Sequence, residues 1–215
     1  MSDVKRSDLI VRYSRGERAN HWIVAGAFFL AGLSGLALFH PLMYWLSALF
    51  GGGQWTRILH PWFGLFMFLL FLVLAVRMFK HNSIQKHDIE WLKRVGDVVN
   101  HREDRVPEVG KYNGGQKLLY FVLVISMLVL IVTGILMWRP WFAYTLVPIP
   151  VVRAAAVFHA FFAFVIICAI IIHIYSAYWV KGSMQAMTRG TVTPGWAYKH
   201  HRLWWRQLRR PAADK

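Results

Sequence analysis

Residues 154–179 read AAAVFHAFFAFVIICAIIIHIYSAYW. The stretch holds no Asp, Glu, Lys or Arg, and its basic side chains are two histidines, His159 and His173. As a helix rising 1.5 Å per residue it is long enough to cross a hydrocarbon layer of about 30 Å. The histidines are 14 positions apart. At 3.6 residues per turn that spacing brings them back to within roughly 40° of one helix face, about 21 Å apart along the axis. A titratable group inside a membrane is costly and marks function, so this span governs the reading of the rest.

Working outward, three more apolar runs cover roughly 22–39, 60–79 and 116–138. Together with the run at about 154–179 they predict an all-α integral membrane protein, a four-transmembrane-helix bundle in one domain over 1–215. The composition agrees, with 57% hydrophobic residues and 11 Trp. The first 20 residues are charged and no small-residue cleavage site follows the first run, which argues against a removable signal peptide. No internal repeat is evident.

The net charge of +15 is unevenly placed. Five Lys or Arg precede the first span, nine lie from Arg77 to Lys117, and eight follow Val180. Only Arg57, Arg139 and Arg153 lie in the other two loops. The positive-inside rule therefore expects both termini, the loop 80–115 and the tail 180–215 in the cytoplasm of a bacterial inner membrane. Basic residues that flank lipid spans meet anionic headgroups, so nucleic acid is set aside as a partner. The tail, with Trp196, Trp204 and Trp205, reads as a surface segment docked on headgroups or on a partner. The one cysteine, Cys168, excludes a disulfide within the chain and any Cys-ligated cluster; it reads as a small apolar core residue.

Topology then pairs the histidines. His21 opens span one at the inner face. His60 opens span two at the outer face, with Pro61 as a first-turn proline. Span four runs inward, so His159 shares the outer level with His60, and His173 shares the inner level with His21. A single intramembrane histidine is a proton relay, a hydrogen-bonded core residue or a ligand. Two pairs at matching depths favour ligands. One ion cannot gather all four, because its ligands must lie within a few ångströms. Two stacked b haems, each held by two imidazoles, fit the spacing. Gly26, Gly32 and Gly35 would let a helix or a flat macrocycle approach span one. His40 reads as a solvated loop residue; His81, His87, His101, His200 and His201 read as surface residues. The chain is thus expected to pass electrons between the membrane faces. The non-redox alternative is a small proton or ion transporter, for which neither inverted repeats nor broken helices are visible.

Several segments resemble the cytochrome b (gamma) subunit of membrane-bound respiratory formate dehydrogenase. They are Glu17-Arg18-Ala19-Asn20-His21-Trp22, Arg57-Ile58-Leu59-His60-Pro61, Asp88-Ile89-Glu90-Trp91, Gly110 to Lys117, Trp138-Arg139-Pro140, Trp179-Val180-Lys181-Gly182-Ser183 and Lys199-His200-His201. The four-helix, four-histidine pattern is shared with hydrogenase cytochromes, which stand as the alternative. The loop segments favour the formate dehydrogenase type.

The resemblance implies an electron-transfer and quinone-reducing subunit of a formate:quinone oxidoreductase, which does not itself oxidise formate. A catalytic alpha subunit with molybdenum or tungsten would do so, and an iron–sulfur beta subunit would pass the electrons on. A higher oligomer of that heterotrimer stays open. The outer haem on His60 and His159 would receive electrons, and the inner haem on His21 and His173 would deliver them to menaquinone or ubiquinone. The quinone site would lie beside His173, lined by Asn113 and Gly115, with Gln116 and Lys117 as weaker candidates. Read from the residues alone, Asn113-Gly114-Gly115 is a plain turn before a helix; the resemblance is what points to the site. Arg18, Arg57, Arg139 and Arg153 pair with haem propionates or serve as topogenic charge.

Overall fold

The computed structural model describes residues 8–100, 102–138 and 146–209. Arg139, Pro140 and His101 lie outside them, as does the end of the tail. The described chain is mostly helical. In order it forms strand β1 (Ile10–Val11), helix α1 (Arg15–Phe39), a 3-10 segment (Pro41–Phe50) and α2 (Gly53–Phe79). Then come α3 (Lys86–Lys93), α4 (Val95–Val99), α5 (Gly114–Met137), α6 (Ile149–Trp179), α7 (Ser183–Thr188), β2 (Thr191–Val192), α8 (Pro194–His200) and α9 (Arg202–Arg209).

Helices α1, α2, α5 and α6 are long and apolar enough to cross a membrane, with mean hydropathy of 2.0 to 2.8 in their best windows. At most 22% of any window is buried inside the protein. Of their Leu, Ile, Val and Phe side chains only Phe71 and Ile166 are buried, which suits lipid and would not suit water. What α1 buries is small. On α1 the buried residues are Ala27, Ala31, Ser34 and Ala37, spaced three or four apart and so on one face. Small residues let helices approach closely where lipid offers no hydrophobic drive.

The described residues form two compact units: 19–76 with 122–138 and 146–173, and 8–18 with 77–100, 102–121 and 174–209. The first is the apolar unit. Within it, Asn20 Nδ2 donates to the Leu70 carbonyl at 3.2 Å, and the Trp62 and Trp138 rings meet edge-on at 5.1 Å. The turn into α2 uses Gly51 (φ 83°) and Gly52 (φ 97°), backbone values that L side chains rarely adopt. The helix starts at Gly53, so Pro61 lies inside it and not in the first turn as the His60-Pro61 pair suggested. Thr56, fully buried, donates to the Gly52 carbonyl at 2.9 Å and stabilises that first turn.

The second unit is polar and basic. β1 and β2 pair antiparallel, Ile10 opposite Val192 and Val11 opposite Thr191. Val192, Ala186, Ala197 and Trp204 form its core, with Ile10, Tyr13, Trp196 and Trp205 packed on it. The aromatic tail is thus folded against its own N-terminal arm rather than presented as a surface segment. Arg12 is buried. It donates to the Lys111 carbonyl at 2.7 Å, and its guanidinium lies 4.9 Å from the Trp196 ring centre and 5.1 Å from that of Trp204. His201, expected on the surface, is 2% exposed. Its Nδ1 donates to the Gly110 carbonyl at 2.8 Å and its Nε2 faces Arg12 Nη2 at 3.3 Å. Burial first, and then the Arg12 charge, hold this imidazole well below its ordinary range, so it is neutral and can accept from Arg12.

Candidate functional site

α1 carries His21, α2 carries His60, and α6 carries His159 and His173. The apolar unit brings them together as two pairs. The His60 and His159 ring centres are 6.2 Å apart with planes inclined by 78°. The His21 and His173 ring centres are also 6.2 Å apart, inclined by 55°. Among the described residues no three His, Cys, Asp or Glu cluster as a metal-ion site, which leaves pairs as the arrangement to explain.

The first pair is held by side-chain hydroxyls. Ser34 Oγ lies 3.0 Å from His60 Nδ1, and Thr133 Oγ1 lies 2.9 Å from His159 Nδ1. Each ring also rests over a glycine. A Cβ at Gly35 would come 3.1 Å from His60 Cε1, and one at Gly134 would come 3.5 Å from His159 Cε1. Ser34 and Thr133 were not singled out from the sequence. A findable signal exists: a hydroxyl residue followed by glycine precedes each histidine by 26 positions. At the other pair, His21 Nδ1 is buried without a hydrogen-bond partner among the described residues.

The residues at the start of α5 have other local duties. Asn113 Oδ1 accepts from Gln116 N at 2.9 Å and Gln116 Oε1 accepts from Asn113 N at 3.1 Å, a reciprocal N-terminal cap. A Cβ at Gly115 would come 3.0 Å from the Trp91 indole, and one at Gly114 would come 2.5 Å from the Asp88 carbonyl; both glycines admit α3. Lys117 is buried and bonds Asp88 Oδ2 at 2.6 Å and the Ser83 carbonyl at 2.8 Å. Among the arginines, Arg18 donates to the Thr188 carbonyl, whereas Arg57 and Arg153 are exposed. His40 is exposed too, and caps the 3-10 segment by accepting from Leu42 N at 3.2 Å.

Residues 12–190 match the sequence profile of the prokaryotic cytochrome b561 family. The cytochrome b556(fdo) subunit of formate dehydrogenase from Escherichia coli (strain K12) is 43% identical over 212 residues, covering 99% of both chains. The nitrate-inducible cytochrome b556(Fdn) subunit from the same organism is 42% identical, covering 99% of this chain and 97% of the relative. A formate dehydrogenase cytochrome b556 subunit from Haemophilus influenzae is 40% identical over 205 residues, covering 95% and 86%. The chain belongs to the prokaryotic cytochrome b561 family. Within it, the chain groups with the cytochrome b subunits of formate dehydrogenases.

A cytochrome b carries b haem, and the histidine pairs can be tested against it. An imidazole nitrogen ligates a first-row metal at about 2.0 Å and lies about 1.1 Å from its ring centre, so two imidazoles on opposite sides of one iron place their centres roughly 6.2 Å apart. Both pairs have that separation. At the His60–His159 level the hydroxyls engage Nδ1 and leave Nε2 for a metal, the arrangement usual for ligating histidines. These residues fit the group.

Proposed function

We propose that His60 with His159, and His21 with His173, hold two stacked b haems. The chain is then the membrane anchor through which a formate dehydrogenase reduces quinone. The observation that carries this reading is the pair of 6.2 Å ring separations, placed at two depths by histidines about 21 Å apart along α6. Bound haem supplies one-electron transfer at each level.

Electrons enter from an iron–sulfur partner at the periplasmic level of His60 and His159. They leave for a quinone at the cytoplasmic level of His21 and His173. Formate oxidation belongs to a molybdenum or tungsten partner and releases a proton, carbon dioxide and two electrons outside. Quinone takes those two electrons with two protons from the cytoplasm, so charge is separated without a pump. The 22-to-3 bias of Lys and Arg supports this orientation in the inner membrane. At the quinone end, the α5 cap uses Asn113 Oδ1 and leaves the Asn113 Nδ2 donor for a quinone carbonyl. Gly115 and Gln116 stand with Asn113 in the proposed site.

The test is His159→Ala in the intact complex. Formate oxidation with an artificial dye acceptor should continue, while formate-driven quinone reduction stops. Quinone reduction at the wild-type rate would overturn the route through His159.

A further inference from the structure

The hydroxyl contacts at His60 and His159 are built identically. Ser34 Oγ donates to the Leu30 carbonyl at 2.7 Å, and Thr133 Oγ1 donates to the Val129 carbonyl at 2.6 Å. Each hydroxyl hydrogen is thereby spent one turn back along its own helix. The oxygen can then only accept from the imidazole, so the proton sits on Nδ1 and the lone pair on Nε2. Both oxygens are buried, Ser34 at 0% and Thr133 at 7% exposure, so water does not compete.

The likeness extends along the chain. Ser34-Gly35 and His60 correspond to Thr133-Gly134 and His159 at a constant offset of 99 residues (34 to 133, 60 to 159). At the same offset Arg18 meets Lys117, Trp22 meets Phe121, and Pro41 meets Pro140. The Ser34-Gly35 and His60 pattern of α1 and α2 therefore recurs in α5 and α6 as Thr133-Gly134 and His159. His21 and His173 break it: their counterparts are Tyr120 and Leu74. The His60–His159 level has two hydroxyl-bonded imidazoles, whereas His21 Nδ1 at the other level has no partner among the described residues.

An acceptor at Nδ1–H pushes electron density toward Nε2 and makes the imidazole a stronger donor, which favours the more positive, oxidised iron. We propose that Ser34 and Thr133 are positioning residues. Acting through His60 and His159, they hold the haem potential at that level below the potential at the His21–His173 level. Electron flow toward His21 and His173 is then downhill by construction. This inference rests on the haem-ligand reading above.

The test uses the intact complex carrying Ser34→Ala, Thr133→Val or Thr133→Ser, with haem content and redox titration as readouts. Ser34→Ala and Thr133→Val should keep both haems and move one potential positive. The expected shift is up to about tenfold in the reduced-to-oxidised ratio, or about 59 mV for one electron. The other potential should not move, and Thr133→Ser should restore the wild-type value. Unchanged potentials with both haems retained would overturn the proposal. His60→Ala supplies a second test that needs no hydroxyl variant. It should remove the lower-potential haem. Loss of the higher-potential haem would overturn the proposal while leaving the ligand assignment intact, and retention of both haems would overturn the ligand assignment itself.

Discussion

Replacing Lys117 with methionine should destabilise the polar unit by about 3–5 kcal/mol, the usual cost of removing one partner from a buried ion pair. Lys117 and Asp88 are 6% and 1% exposed. The Lys117 Nζ to Asp88 Oδ2 distance is 2.6 Å, and the same oxygen accepts from Gln85 N at 2.7 Å. Methionine preserves most of the lysine stem but leaves a buried carboxylate with Gln85 N on Oδ2 and the His87 imidazole 3.6 Å from Oδ1. Because α3 seats against Gly114 and Gly115 through Asp88 and Trp91, the loss should free α3 first. Asp88→Asn combined with Lys117→Met removes both charges, and should recover about 1–3 kcal/mol relative to the sum of the single effects. Thermal unfolding of the detergent-solubilised complex, with proteolytic cleavage inside 86–93 as the local readout, measures both. A Lys117→Met protein within about 0.5 kcal/mol of wild type, or strict additivity in the double variant, would refute the reasoning.

Three further outcomes are expected. His201 is neutral when folded because burial, then Arg12, lowers its affinity for protons below the ordinary 6.5. The unfolded chain binds a proton as pH falls through about 6.5 and the folded one does not, so stability is full above that value and drops by about 1.4 kcal/mol per pH unit below it. Proteolysis of 191–209 should accelerate from about pH 7.5 to about pH 5.5, and a rate independent of pH would contradict this. Asn113→Asp keeps the α5 cap but removes the amide donor, so it should weaken binding of a quinone-analogue inhibitor with both haems retained; unchanged affinity would argue against a quinone role for Asn113. Near-perpendicular axial imidazoles give the more anisotropic low-spin EPR signal. The 78° pair should therefore own the more anisotropic component, and His60→Ala should abolish it; loss of the other component would contradict the ring geometry.

The spanning helices were legible because lipid imposes a long apolar run on each. The meeting of His60 with His159 and of His21 with His173 followed from helix direction and the 14-residue spacing on α6. Other features had no local signal. The α2 start was misplaced because proline favours first turns, yet here the glycine turn and Thr56 begin the helix earlier. His201 lies in a charged stretch, and its burial depends on Arg12 and Gly110, far away in sequence. The pairing of β1 with β2 involves two residues from each end of the chain, too few for any periodicity. The recurrence of Ser34-Gly35 and His60 as Thr133-Gly134 and His159 was hidden because few other positions at that offset are identical. The Ser34-Gly35 and Thr133-Gly134 dipeptides, 26 positions before His60 and His159, take on meaning once their oxygens are seen at Nδ1.

The most direct test is a haem count by pyridine haemochrome across the four histidine-to-alanine variants of the purified complex. Wild type should carry two b haems per chain. His60→Ala and His159→Ala should each lose one haem, the same one by potential and spectrum, and His21→Ala and His173→Ala should each lose the other. A folded wild-type chain without haem, or His60 and His159 variants that lose different haems, would contradict the paired-ligand account.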